Sequence, residues 1–425
     1  MNTASHTLAS PPPDSDIAAA PACSLRKQLR RAERRRNLLF MGLIMPLALF
    51  VLSTFLLPIA SLLGRSVDNP EVHDNLPATL ALLGDWTGQG LPDEAVFDAL
   101  ARELHAARGT PALADIAKRL NREQSGLRTL IMRTARTLPV AEGATAREAL
   151  AAADPRWAEP ELWHTIRRAG APNTAFYLLG AVDRSIGENG EIVALPAEEA
   201  IYLDVLGRTF LMSLVVTCAC LLLGFPLAYL MATLPARRSN LLMILVLLPF
   251  WTSVLVRVAA WIVILQNEGL VNQFLMWTGL TDSPLRLLFD RSGVYVAMIH
   301  ILLPFMVLPL YSVMKGISPA YLRAALSLGC PPFKSFWQVY FPLTLPGIGA
   351  GCLLVFIVCM GYYITPALLG GPGDQMISYF IAFYTNQAVN WGMAAALSAV
   401  LLAATVVLYS VYSRYLGGPA ATQAR

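Results

Sequence analysis

The side chains able to make or break bonds are few and scattered. His6, His73, His105, His164 and His300 share no spacing that would hold a metal or activate a nucleophile. The chain has no H-E-x-x-H and no G-x-x-x-x-G-K-[ST] phosphate loop, so it cannot hydrolyse ATP by that chemistry. The six cysteines, Cys23, Cys218, Cys220, Cys330, Cys352 and Cys359, show no metal-ligand spacing. Four of them lie in apolar runs, where a thiol behaves as a small hydrophobe. A non-enzymatic protein with no cofactor and no metal is expected. Two ionisable residues do stand inside apolar runs, Arg257 and His300. An Arg near mid-bilayer costs about 2.5–3.5 kcal/mol and calls for a partner. A structural role is expected for Arg257, and a hydrogen bond between helices for His300.

A second constellation is built for docking. Ser318-Pro319 reads as an N-cap and first turn, Ala320 to Leu328 as helix, and Gly329 as its left-handed C′ residue. Pro331 and Pro332 stop that helix and open another. Phe333, Phe336, Trp337 and Tyr340 are expected along one face of it, with Pro342 and Pro346 preceding the next apolar run. Two short helices meeting at a glycine bend could lie on a membrane or dock into a partner.

The elements that position these residues are apolar. The chain of 425 residues is 56% hydrophobic and 14% charged. Its mean hydropathy is +0.53. Soluble domains average about 45–50% apolar and about 25% charged residues. This excludes a disordered chain, a basic nucleic-acid binder and most soluble enzymes. The expected division is a basic tail over 1–37, a first membrane span over 38–64, an insertion over 65–200, a core of five further spans over 201–416, and a short tail over 417–425. The five spans are placed at about 207–233, 241–265, 293–315, 346–370 and 393–416. Pro226, Pro249, Pro304, Pro309 and Pro366 fall inside them, which a membrane bundle tolerates. No Asp or Glu lies deep in any span, which argues against a proton- or sodium-coupled carrier.

The loops on one side of these spans hold 14 Lys and Arg, against 2 on the other. Both termini are therefore expected in the cytoplasm and 65–200 outside it. That insertion carries 14 basic and 20 acidic residues. Val96, Phe97, Leu100 and Leu104 recur at helical spacing, as do Leu113, Ile116 and Leu120, and then Leu127, Leu130, Ile131 and Leu138. Thr110-Pro111 marks a helix start, Thr145 with Glu148 a capping box, and Pro160-Glu161 a further helix. A helical cap outside the membrane is expected.

These features resemble the permeases of binding-protein-dependent ABC importers, whose cytoplasmic loop reads E-A-A, three residues, Gly, nine residues, I-x-L-P. Here Arg323-Ala324-Ala325 stands three residues before Gly329, and Val339-Tyr340-Phe341-Pro342 follows nine residues after it. Arg323 reverses the charge of the family's acidic residue. Phe225-Pro226-Leu227-Ala228-Tyr229, the run Leu248-Pro249-Phe250-Trp251-Thr252-Ser253 with Arg257 and Trp261, the run Leu303 to Tyr311, and Tyr363 to Gly371 resemble the spermidine/putrescine branch. The resemblance covers about two thirds of the chain.

It implies an all-α membrane protein with the six-span type I (MetI-like) permease fold and a helical insertion after the first span. It implies an inner-membrane subunit with no catalytic residues. Its partners would be a second permease (a heterodimer), a cytoplasmic ATPase dimer, a periplasmic solute-binding protein and membrane lipid, with no nucleic acid. Arg323, Ala324, Ala325, Gly329, Val339 and Pro342, within a loop at 316–345, would couple to the ATPase. For a polyamine, aromatic faces and hydroxyls would line the path, and Trp251, Thr252, Ser253, Trp261, Tyr362, Tyr363 and Thr365 are the candidates. A permease for another small solute and a self-contained carrier are the alternatives.

Overall fold

The computed structural model describes residues 36–37, 40–140, 143–187 and 191–415. The expected basic tail up to Arg35, and the tail after Tyr415, lie outside the described residues. Among the described residues, six helical stretches are long and apolar enough to cross a membrane: Phe40–Gly64, Tyr202–Thr233, Val254–Trp277, Arg291–Gly316, Pro332–Met360 and Trp391–Arg414. The first belongs, up to Ser61, to a unit of its own, and its apolar side chains are exposed.

The second, fourth and fifth spans pack into one core. Met212, Val216 and Cys220 of the second, Met298, Leu302, Met306 and Leu310 of the fourth, and Val355 and Cys359 of the fifth are all buried there. Small residues let the backbones approach. A Cβ on Gly351 would stand 2.8 Å from Met306 Sδ, and one on Gly224 would stand 3.0 Å from Met306 Cγ. Pro226, Pro304 and Pro309 lie inside continuous helices.

Two spans depart from the expected limits. The third, expected over about 241–265, is helix over Ala236–Leu247, a tight turn over Leu248–Trp251 and helix again over Val254–Leu265, and the apolar stretch that runs to Trp277 continues past a turn into the short helix Leu270–Trp277. Pro249 lacks the N–H that would continue the ladder, and Ser253 is extended. The fifth, expected over about 346–370, is already helical at Pro332 and runs to Met360. Pro342 and Pro346 lie within it rather than before it. It is followed by a break and the short helix Ile364–Leu369, which holds Pro366.

The insertion has its own apolar core. Helices Glu94–Ala106, Pro111–Glu123, Leu127–Thr137, Ala146–Ala153 and Pro160–Ala169 form where the periodicity placed them. They enclose Phe97, Leu100, Leu120, Ile131, Trp157 and Trp163. The Trp157 indole N–H donates to Thr134 Oγ1 at 2.9 Å, and that of Trp163 to the Trp157 carbonyl at 3.1 Å, so both rings are buried without orphaned donors. The Thr145–Glu148 capping box forms in both directions. Thr110 takes the N-cap position but makes no side-chain cap bond; its hydroxyl donates back to the Ala107 carbonyl. A two-stranded antiparallel sheet, Arg184–Ile186 with Ile192–Ala194, was not foreseen.

Arg119 is fully buried. Its Nε donates to Asn69 Oδ1 at 2.7 Å and its Nη2 to Glu123 Oε1 at 2.8 Å. A buried charge persists when paired in this way. The insertion joins the core through Tyr177 and Ala181, which pack with Tyr202, Val205, Ile377, Met393 and Leu397. Burial pushes the Tyr177 phenol above its ordinary range, and Arg122 donates to that hydroxyl at 2.8 Å. Asp183 then starts the second span by accepting from the N–H groups of Tyr202 and Leu203, at 2.9 and 2.7 Å. A carboxylate there satisfies orphan donors and complements the helix dipole.

Candidate coupling segment and translocation face

The bend at Gly329 closes as the sequence implies. Ser318 Oγ accepts from the Ala320 N–H at 3.3 Å and caps the helix Pro319–Ser327. The N–H of Gly329 donates to the Leu326 carbonyl, and that of Cys330 to the Ala325 carbonyl, each at 3.0 Å. This pair of bonds is the Schellman arrangement. It needs a positive φ, and Gly329 has +85°.

Beyond the bend the expected single aromatic face is divided. The turn Phe336–Tyr340 is a π-helix, which rotates successive side chains relative to an α-helical face. Phe336 stacks on Tyr340, with centroids 5.6 Å apart, and both meet Tyr229 of the second span, at 5.6 and 5.3 Å. Phe225 adds contacts to Phe336 and Phe341. Phe333 is exposed, and Trp337, whose ring packs against Phe336 and Phe341 at 5.5 and 4.8 Å, is half exposed. With Tyr321, Leu326 and Leu328 they leave an open apolar surface, Leu328 being 88% and Phe333 78% exposed. Arg323 and Ala324 are exposed beside it, Ala325 and Val339 are half-buried, and Pro342 is exposed on the helix surface. The segment sits at the end of the bundle opposite the insertion, since Tyr229 lies near the far end of the span that Tyr202 begins.

The candidate path residues fall into two groups. Trp251, Thr252 and Ser253 lie at the interruption of the third span, all exposed, with Trp251 at 74%. The Thr252 hydroxyl donates to the Pro249 carbonyl at 3.0 Å. Phe250 packs on Phe305, near the middle of the fourth span, with centroids 5.1 Å apart. Trp261 lies toward the insertion end, where its indole N–H donates to His300 Nδ1 at 3.3 Å. His300 thus has its interhelical bond, although it is exposed.

Tyr362 and Tyr363 occupy the break of the fifth span, half-buried and exposed respectively. Thr365 is buried in the helix that packs beside Val254–Leu265 and faces no open surface. The sequence reading passed over Arg291 and Asp374 as a pair. Arg291 Nε donates to Asp374 Oδ1 at 2.8 Å, and Asp374 Oδ2 accepts from the Gly371 N–H at 3.1 Å. They tie the fourth span to the loop after the fifth. The signal was present as Asp374, the only charged residue in the loop over 371–392.

Residues 224–416 match the family described as binding-protein-dependent transport system inner membrane component. The insertion lies outside this match. The spermidine/putrescine transport system permease protein PotB of Escherichia coli (strain K12) is 38% identical over 216 residues, 51% of this chain and 78% of its own. The protein of the same name from Haemophilus influenzae is 37% identical over 214 residues, 50% of this chain and 75% of its own. Among solved structures, a bacterial alginate ABC transporter in complex with an alginate pentasaccharide-bound periplasmic protein aligns with 50% of this chain and 77% of its own, at 18% identity and a TM-score of 0.40. With 78% of the Escherichia coli permease covered at 38% identity, the chain is a multi-pass membrane permease and belongs to the inner-membrane components of binding-protein-dependent transport systems.

Proposed function

We propose that this chain is one permease subunit of an importer for polyamines of the spermidine and putrescine class. The observation that carries the proposal is the segment 318–342, with family spacing, a closed glycine turn, and exposed Tyr321, Leu328, Phe333 and Trp337 at the end opposite the insertion. In this reading both termini are cytoplasmic, 65–200 is periplasmic, and the exposed segment docks into a separate ATPase. A second, different permease completes the path, and a periplasmic solute-binding protein delivers the substrate. Trp251, Trp261, Tyr362 and Tyr363 offer ring faces, and Thr252 and Ser253 offer hydroxyls, to an amine in transit. Thr365 supports the path from behind.

The experiment is ATP-driven uptake of labelled spermidine and putrescine into liposomes. The chain alone should give none, and the chain with its ATPase, second permease and binding protein should give uptake that excess unlabelled polyamine suppresses. Uptake by the chain alone, or indifference of the full complex to polyamines, would overturn the reading. Alkaline phosphatase fused after residue 120 should be active and after Arg238 inactive. The reverse pattern would overturn the orientation.

A further inference from the structure

A cavity of about 600 Å³ opens where the insertion meets the ends of the second and sixth spans. The insertion lines it with Glu123, Arg168 and Arg184, and the bundle with Tyr202, Tyr384 and Met393. Tyr202 is the first residue of the second span, and Met393 lies in the first turn of the sixth. The cavity therefore sits at the level where apolar helix gives way to water. Tyr202, Tyr384 and Trp391 gather at this end, as amphipathic rings do at a membrane surface.

The charges around the cavity are not balanced within the chain. Glu123 holds two arginines, Arg119 at 2.8 Å and Arg168 at 3.4 Å. That group carries one positive charge more than its carboxylate answers, and Arg119 and Glu123 are almost wholly buried in it. Excess charge out of water calls for a counter-charge. The rings of Phe176 and Tyr177, 4.8 and 5.5 Å from the Arg119 guanidinium, offset part of it. Arg168 is the arginine of the group that lines the cavity, and its side chain is 35% exposed. Arg184 adds a second cation to the lining and Glu199 an anion. Among the described residues neither forms an ion pair. Arg122, also on the lining, is already engaged, donating to the Tyr177 hydroxyl at 2.8 Å and standing 3.7 Å from Glu71.

This pattern selects among ligands. A simple anion would answer the arginines and leave Glu199 alone. A polyamine would answer Glu199 and meet the arginine excess. A molecule with a phosphate and a primary ammonium answers both, because guanidinium forks fit phosphate oxygens and a carboxylate accepts from an ammonium. At the edge of a bilayer that molecule is a phospholipid with an ethanolamine headgroup. The second and sixth spans leave Leu203, Leu211 and Leu402 exposed, an apolar surface that acyl chains can follow.

We propose that this cavity seats the headgroup of a phosphatidylethanolamine, its phosphate met by Arg168 and Arg184 and its ammonium by Glu199, so that the lipid seals the joint between insertion and bundle. The proposal rests on the spans and the cavity, and on neither the substrate nor the orientation of the importer.

The test uses the full chain, purified in detergent and stripped of lipid. It is titrated with phosphatidylethanolamine, with phosphatidylglycerol, whose headgroup lacks the ammonium, and with soluble glycerophosphoethanolamine. Native mass spectrometry counts the bound molecules, and the melting temperature is followed alongside. Phosphatidylethanolamine should occupy one saturable site about tenfold more tightly than the other two and raise the melting temperature. Arg184→Gln should weaken that site about tenfold, and Glu199→Gln should remove the preference over phosphatidylglycerol. Both side chains are exposed, so each variant should melt like the unaltered chain when no lipid is present.

Unchanged phosphatidylethanolamine affinity in both variants would overturn the site. So would equal binding of phosphatidylglycerol by the unaltered chain. Displacement of the lipid by an equal concentration of glycerophosphoethanolamine would give the cavity to a soluble ligand, and displacement by spermidine would give it to a cation. Either result overturns the lipid. None of these outcomes bears on the importer reading, which polyamine uptake decides.

Discussion

Arg291, the first residue of the fourth span, holds Asp374 at 2.8 Å from a loop 83 residues further along the chain. Asp374 is largely buried while Arg291 is 43% exposed, so solvent screens part of the attraction. Asp374→Asn should cost about 1 kcal/mol in thermal stability of the detergent-solubilised protein, the cap on Gly371 included. A double-mutant cycle with Arg291→Gln checks this, the double variant being less destabilised than the two single losses added.

The aromatic residues beyond the bend should separate stability from assembly. Phe336→Ala removes packing on Phe225, Tyr229 and Tyr340 and should lower stability by about 2 kcal/mol. Phe333→Ala removes an exposed ring and should leave the melting temperature unchanged while reducing copurification of the ATPase. Equal effects of the two on melting would contradict the division of that face.

Gly329→Val should impair uptake while the chain still inserts into membranes. A β-branched residue at φ +85° costs about 1–2 kcal/mol, and the Schellman bonds from Gly329 and Cys330 are what it would open. Uptake in intact cells against membrane content on a blot measures it. A wild-type rate per molecule would remove 318–342 from the coupling route. Arg323→Glu, which restores the family letter, should weaken ATPase recovery if an acidic patch faces Arg323.

The insertion should lose stability in acid. The side-chain hydrogen bond from Arg156 is the main reason that the Asp154 carboxyl sits below the ordinary carboxylate range. A group whose folded pKa is depressed stabilises the fold above its unfolded pKa, near pH 4, and that contribution is lost as pH falls through the folded value. Asp154→Asn should therefore lower stability at neutral pH and flatten its decline below about pH 4. Intrinsic fluorescence of Trp157, three residues on and buried in the same insertion, reports the transition.

What was legible in the sequence is what neighbouring residues decide. Ser318, Pro319 and Gly329 set a cap, a first turn and a left-handed stop within a dozen positions, and all three hold. Thr145 and Glu148 hold for the same reason. Hydropathy could not see the interruption at Thr252 and Ser253, because the apolar run continues through Pro249, Phe250 and Trp251. The division of Phe336 from Trp337 depends on a single π-turn, which has no composition of its own. Arg119 with Asn69, and Arg291 with Asp374, are long-range pairs, and a count of charges by loop does not join them. Thr365 was chosen for its hydroxyl, and the packing of two short helices decided that it would be buried.

The run from Pro332 to Met360 is helical over 29 residues, with one π-turn at Phe336–Tyr340, and is about 43 Å long at roughly 1.5 Å per residue. It has no loop along its length at which a movement could be absorbed. Phe333 at one end lies in the exposed surface proposed to meet the ATPase, and Tyr362 and Tyr363 follow the other end directly. A rod of this length that tilts by about 5° about one end carries the other through about 4 Å, more than the reach of a hydrogen bond. If that segment docks as proposed, a modest rocking there would be enough to make or break a contact at the tyrosines, with no signal relayed from residue to residue between them.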